Sequence, residues 1–157
     1  MKCILTFYFP ECELLIARLM NRCTPGAVKL EFTALQRSLG GAYEFSFIFP
    51  AILTDRGNEF GRPDELENGI DTFHRTSIYY CDPMRSNQKG GIENVHTMLR
   101  MILPKGTVFE SLTKWDIRKC ADHINNAPRK NLNGYAPYEI ALKTFGEETV
   151  KNYSFGM

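Results

Sequence analysis

Residues 47–60 read FIFPAILTDRGNEF, an apolar run that ends on a carboxylate, Asp55, before Arg56-Gly57-Asn58-Glu59-Phe60. Aromatic and branched side chains favour a pleated, half-buried strand, so the stretch predicts a strand over Phe47–Thr54 with Asp55 at its mouth. The plain reading of Asp55 is a surface loop, since polar residues often end strands merely to turn the chain. The sharper reading is a metal ligand, because sites gather at the carboxyl ends of strands in α/β sheets. One carboxylate does not choose between them. Its partners do.

Upstream, Lys2–Phe9 and Glu13–Met20 are two apolar, strand-favouring runs joined at Pro10-Glu11, the pattern of a hairpin. Thr24-Pro25 offers an N-cap with proline at the first helical position. Val28, Phe32, Leu35 and Leu39 then follow at helical spacing until Gly40-Gly41 stops the helix. Downstream, Pro63–Glu67 predicts a helical turn and Ser77–Cys81 a fourth strand closed by Asp82-Pro83. From Gly90, the stripe Ile92, Val95, Leu99 and Ile102 predicts a helix ended by Pro104, with Lys89, Glu93, His96, Thr97 and Arg100 on its other side. A helix over Thr113–Asn126 is expected around Trp115, Ile117, Cys120 and Ile124, with Trp115 as a core anchor, and a last one starts at Ala136-Pro137. The order β-β-α-β-β-α-α-α is that of one α/β domain, with helices added at its C-terminal end over about 113–145.

At 157 residues, with 43% hydrophobic and 24% charged, the chain is long enough for a buried core and is not of disordered composition. The five cysteines form no CxxC pair, and with three scattered histidines they give no zinc spacing. The opening MKCILTFYF resembles a secretion signal only until Pro10, Glu11 and Glu13 interrupt it, and no stretch is long enough to cross a membrane. Charge is uneven. Residues 84–132 carry nine Lys/Arg against four acids, a net +5 in a chain of net +1. That is either a phosphate-facing side or a solvated helical face.

The second carboxylate is Glu93, in the first turn of its helix. Glutamate is favoured there by the helix dipole alone. As a pair, Asp55 and Glu93 mean more. One ends a strand and the other opens a helix, so a helix packed on the sheet could bring both to one edge. Mg²⁺ takes oxygen ligands and is commonly held by a few carboxylates plus substrate phosphates. Lys89 and Arg100, one and two turns from Glu93 on the same face, suit phosphate.

Three segments together, ILTDRGNEF (52–60), YYCDPMRSNQKGGIENVHTMLRMILPKGTVF (79–109) and INNAPRKNLNGYAPYEI (124–140), resemble the catalytic core of bacterial insertion-sequence transposases. The insertion-sequence-thirty family, within the retroviral-integrase-like enzymes, is the nearest group. The resemblance rests on Asp-x-Gly-x-Glu-Phe, Gly-x-x-Glu-Asn, Pro-Lys-Gly-Thr and Asn-x-Pro-Arg-Lys in combination. It implies an RNase H-like (integrase catalytic core) α/β fold, a mixed sheet flanked by helices, over the whole of residues 1–157. It also implies a three-carboxylate site using Mg²⁺, or Mn²⁺, for DNA cleavage and strand transfer. Asp55 takes the second catalytic and metal-binding position and Glu93 the third. Lys89, Asn94, Arg100, Lys105, Arg129 and Lys130 become the DNA-binding candidates, and Pro128 also matches the pattern. Arg56 and Asn87 depart from it, standing where the family usually has asparagine and an aromatic.

The larger departure is the first carboxylate. No Asp precedes Asp55, and Glu11, Glu13, Glu31 and Glu44 are poorly placed to replace one. The expectation is therefore a core lacking its first strand, which the resemblance places centrally between Lys2–Phe9 and Phe47–Thr54. The implied partners are transposon-end and target DNA and further copies of the chain, with no small-molecule substrate and no membrane. The implied location is the bacterial cytoplasm, at the nucleoid. Two readings follow: a transposase core inactive as it stands, or a non-catalytic remnant that at most binds DNA.

Overall fold

The computed structural model describes residues 1–82, 90–103 and 105–155. Its first elements are the antiparallel strands β1 (Cys3–Phe9) and β2 (Leu14–Met20), paired from Cys3 with Met20 to Phe9 with Leu14. The four-residue turn between them places Glu13 at φ 56°. Next come α1 (Pro25–Leu39), α2 (Ala42–Ile48), β3 (Ala51–Thr54), α3 (Pro63–Glu67) and β4 (Ser77–Tyr80). Strands β3 and β4 pair in parallel, Ala51 with Ser77 through Thr54 with Tyr80. The chain continues through α4 (Gly90–Ile102), α5 (Lys114–Asn126), α6 (Pro137–Phe145) and α7 (Glu147–Phe155).

The alternation of β1 and β2 decides the layering. Leu5, Phe7, Phe9, Leu14 and Ile16 face one core with Val28, Phe32 and Leu35 of α1, Phe45 of α2, Ala141 of α6 and Val150 of α7. The intervening residues, Ile4, Tyr8, Leu15, Ala17 and Leu19, face a second core with Val95 and Leu99 of α4 and Ile117, Cys120 and Ile124 of α5. Helices thus cover both faces of the hairpin, which is why all seven residues of β2 are buried.

Helix ends follow local chemistry. Thr24 accepts the Ala27 N–H at the start of α1, and Gly40, at φ 108°, closes it in the left-handed region. Thr113 and Asp116 form a reciprocal cap on α5, which holds the Asp116 carboxyl below its ordinary value through the Thr113 backbone N–H and hydroxyl.

Four expectations are corrected. Phe47–Thr54 is not one strand: α2 runs to Ile48, and β3 begins only at Ala51. Ala42, Phe45 and Ile48 are buried at helical spacing while Tyr43 and Phe47 are exposed, so packing overrides aromatic strand preference. Helix α7 was unanticipated; it follows Gly146 at φ 87° and seats Val150 in the first core. Trp115 is no core anchor but 56% exposed, with Arg118 and Lys119 cations 5.5 and 5.4 Å from its ring. His96 leaves the polar side of α4 and bonds through Nε2 to Thr6 Oγ1 at 2.9 Å.

Arg75 shows what pattern alone does not reveal. Its guanidinium is fully buried over the rings of Phe32 and Phe45. It donates to the carbonyls of Leu66 (2.7 Å) and Glu65 (3.1 Å) and to Gln36 Oε1 (2.9 Å). Burial lowers its pKa, with Asp71 opposing. These bonds tie the end of α3 to α1 and hold β4 in place.

Candidate functional site

The site begins where β3 leaves the core. Thr54 is buried and Asp55 exposed. Asp55 Oδ1 accepts the N–H of Gly57 at 2.9 Å, an Asx-type turn that orients the carboxylate at the strand mouth. A Cβ at Gly57 would meet the Glu59 carboxylate at 2.6–2.8 Å, a contact that the end of that flexible side chain can relieve by turning aside. Parallel register carries a further acid to the same sheet end: Cys81 N–H bonds the Thr54 carbonyl at 2.8 Å, and exposed Asp82 follows. The sequence alone offered Asp82 only as a strand stop; parallel pairing with β3 gives it a place beside Asp55.

Glu93 is exposed in the first turn of α4. That turn is seated on β1, because a Cβ on Gly91 would lie 2.6 Å from the ring and hydroxyl of Tyr8. Any larger residue at this position would require the Tyr8 ring to shift. Thr6–His96 extends the contact, and Val95 and Leu99 anchor the inner face. Burial raises the Tyr8 pKa, with Glu13 adding to it.

A cavity of about 720 Å³ joins these parts. It is lined by residues 6–12 of the hairpin, 47–53 leading through β3, Gly91 and Ile92 of α4, and Thr144 and Phe145 of α6. Asp55 lies two residues beyond lining Leu53, and Glu93 one beyond lining Ile92.

The basic candidates differ in environment. Arg100 is exposed in the last turn of α4, on the same face as Glu93 after seven residues, about 10 Å along the axis. Asn94, Lys105 and Lys130 are also exposed. Lys89 and Asn87 lie outside the described residues. Arg129 has intramolecular work: it donates to the Ile124 carbonyl at 2.7 Å, at the end of α5, and faces Glu13 at 3.8 Å. Its neighbour Asn125 is buried, with Oδ1 accepting Leu15 N–H (2.9 Å) and Nδ2 donating to Leu15 O (2.7 Å). The INNAPRK segment therefore clasps α5 to the hairpin.

Carboxylate oxygens suit a hard divalent cation. Among the described residues, however, no group of three or more His, Cys, Asp or Glu side chains converges. Asp55 and Glu93 have the right chemistry but do not complete a donor set. Among the described residues no helix is long and apolar enough to cross a membrane.

In fold, the chain is similar to the catalytic core domain of BIV integrase, with a TM-score of 0.59 and 17% identity over 91% of this chain and 93% of that one. This is the RNase H-like integrase-core fold. In sequence it is similar to insertion-sequence transposases. It is 33% identical over 95 residues to the transposase for IS1086 of Cupriavidus metallidurans, covering 60% of this chain and 27% of the relative. It is 32% identical over 99 residues to that for IS4351 of Bacteroides fragilis (63% and 29%). With transposase InsI for IS30A of Escherichia coli it shares 36% over 86 residues (55% and 21%). The matched stretches span less than a third of each of these relatives. No family model matches the chain.

Proposed function

We propose that this chain is the catalytic core of an insertion-sequence transposase of the insertion-sequence-thirty type, built to act on transposon-end and target DNA. What supports the reading is an integrase-core fold in which Asp55 follows cavity-lining Leu53 by two residues at a parallel-strand mouth and Glu93 follows cavity-lining Ile92 by one at a helix start. In this reading both carboxylates are cation ligands, for Mg²⁺ with Mn²⁺ as a substitute, which would supply charge stabilisation of phosphoryl transfer. The chain's own part is placement. Gly91 against Tyr8 sets Glu93, the Gly57 turn sets Asp55, and Arg100 and Lys105 steer the phosphate backbone, with Lys89, Asn94, Arg129 and Lys130 as further contacts. The protein works on bacterial DNA in the cytoplasm, at the nucleoid, as more than one copy.

With two ligands of an incomplete set, the chain alone does not turn over. The experiment is strand transfer on transposon-end DNA in Mg²⁺ and in Mn²⁺, with the chain alone and with an extended chain bearing an upstream strand with an Asp. The expected result is activity only in the extended chain, abolished by Asp55→Asn or Glu93→Gln. Glu93-dependent turnover by the 157-residue chain alone would overturn the incomplete-site reading. The incomplete donor set also supports a second reading, a DNA-binding protein without catalysis. Salt-sensitive DNA binding with no activity in either chain would establish that one.

A further inference from the structure

The end of the hairpin away from its turn brings two cysteines together. Cys3 opens β1 and pairs with Met20, the last residue of β2, and Cys23 follows only three residues later. Asn21 and Arg22 bend the chain between them. Cys3 packs against the first core, as does Ala27 in the first turn of α1. Cys23 leads into that same turn, one residue ahead of the Thr24 N-cap. Two different elements thus carry the two thiols toward one point. The Cys23 thiol is a side-chain hydrogen-bonding neighbour of Cys3 and, after burial, the next cause that pushes the Cys3 thiol up to about 11.

Access separates this pair from the other thiols. Cys23 is exposed and Cys3 half-buried, whereas Cys12, Cys81 and Cys120 are buried. A thiol reagent in water therefore meets Cys23 first, with Cys3 next to it. The number of donors favours a disulfide over a metal. A structural zinc takes four ligands, and among the described residues no group of three or more His, Cys, Asp or Glu side chains converges. A disulfide takes two. It asks for Cα atoms about 4.4–6.8 Å apart, a separation that the residue opening one strand and a residue just past the end of its partner can meet.

We infer that Cys3 and Cys23 are a reversible dithiol–disulfide site, oxidised by a low-molecular-weight disulfide, whose closure ties the start of β1 to the entry of α1. The step balances as two exchanges. The Cys23 sulfur attacks the reagent disulfide as thiolate, and a mixed disulfide forms as the reagent's S–S bond breaks. One reagent thiol leaves with the Cys23 proton. The Cys3 sulfur then attacks Cys23 Sγ, the Cys3–Cys23 bond forms, and the second reagent thiol leaves with the Cys3 proton. The protein gives up two electrons and two protons, and the reagent disulfide is reduced to two thiols. Excess thiol reverses both exchanges. Closing the loop of residues 3–23 removes freedom from the unfolded chain and so favours the folded one. Glu59 acts on the same Cys3 thiol, and Phe60 packs against the same core, so the bond forms beside the loop that follows Asp55. A reducing compartment keeps the pair as thiols and oxidising conditions close it. The inference does not depend on the transposase reading.

The probe is oxidised glutathione, added at pH 8 to the reduced full chain under native conditions. Remaining thiols are then blocked with iodoacetamide and the peptides read by mass spectrometry. The expected product is a crosslink between the peptides carrying Cys3 and Cys23, with Cys12, Cys81 and Cys120 still reduced. It should form at least about tenfold faster than in denaturing urea, because folding holds the two sulfurs together. Cys3→Ser should stop at the mixed disulfide on Cys23, and Cys23→Ser should leave Cys3 unmodified over the same time. Both replace sulfur by oxygen in a side chain of similar shape, so circular dichroism should match the parent. The oxidised chain should unfold in urea at a midpoint higher by about 1 M, a shift that dithiothreitol reverses. No crosslink, a stable mixed disulfide on Cys23 in the parent, a crosslink no faster than in urea, pairing with another cysteine, or a midpoint lowered by oxidation would overturn the inference.

Discussion

Replacing Asn125 with alanine removes both partners of Leu15's backbone, the N–H bonded at 2.9 Å and the carbonyl at 2.7 Å. Asn125 is 1% exposed and Leu15 equally buried, so neither orphaned group regains bulk water. Each buried group left unsatisfied costs about 1–3 kcal/mol. A small space of about 30 Å³ beside Leu15 and Asn125 is the size of one water, which could satisfy one of the two. With one group satisfied and one left over, the net expectation is a loss of about 1–3 kcal/mol. With a urea slope of about 2 kcal/mol/M, the unfolding midpoint falls by roughly 0.5–1.5 M. Urea melts followed by far-UV circular dichroism and by tryptophan fluorescence measure this, and hydrogen exchange should show Leu15 opening early. Asn125→Asp keeps an acceptor for the N–H but loses the donor to the carbonyl and buries a charge, so it should be no milder than alanine. A loss under about 1 kcal/mol with an unchanged slope would refute the clasp as the restraint on β2's outer edge.

Gly91→Ala should destabilise the chain despite alanine's helix preference, because the new Cβ meets Tyr8 at 2.6 Å; overpacking of this kind costs about 1–3 kcal/mol. Tyr8→Leu in the same chain should recover part of the loss, and additive effects in that double-mutant cycle would contradict the contact. Arg100→Ala/Lys105→Ala should weaken DNA binding and flatten its dependence on salt, since a protein that neutralises fewer phosphates releases fewer counterions; unchanged salt slopes in filter binding would place the DNA track elsewhere. The depressed Asp116 carboxyl stabilises the fold above its ordinary value of 3.8, and that contribution is lost as pH falls through its lower folded value. Acid titration of helicity should accordingly show a smaller acid-side loss in Asp116→Asn than in the parent. Thiol alkylation at pH 8 should mark exposed Cys23 first and spare Cys3, whose thiol is pushed up to about 11 by burial and then by Cys23; simultaneous labelling of the two would contradict that environment.

Periodicity alone determined the hairpin, α1, α4 and α5, because each has apolar residues at a period of two or near 3.6 between clear stop signals. Thr24-Pro25 and Gly40 could be read as caps because capping is local chemistry, completed within four residues. The motifs around Asp55 and Glu93 also stood in the sequence, and with them the resemblance to a transposase core. Tertiary structure decided the rest. FIFP (47–50) looked like the start of a strand, yet α2 runs to Ile48, because Phe45 and Ile48 gain more by burial in the first core than aromatics gain from a pleated backbone. Trp115, expected as a core anchor, lies outward beside two cations, while the Arg75 guanidinium lies inward over two rings; side-chain type states a preference, but only the surrounding helices supply the partners. Asn125 and Gly91 carried no signal of their own roles, since their partners Leu15 and Tyr8 lie 110 and 83 positions away in sequence. That β1 and β3 do not pair among the described residues was expected only through the resemblance, which sets a further strand between Lys2–Phe9 and Phe47–Thr54. Strand pairing is a contact between distant segments, and an edge is left open only when every neighbouring element has taken its place.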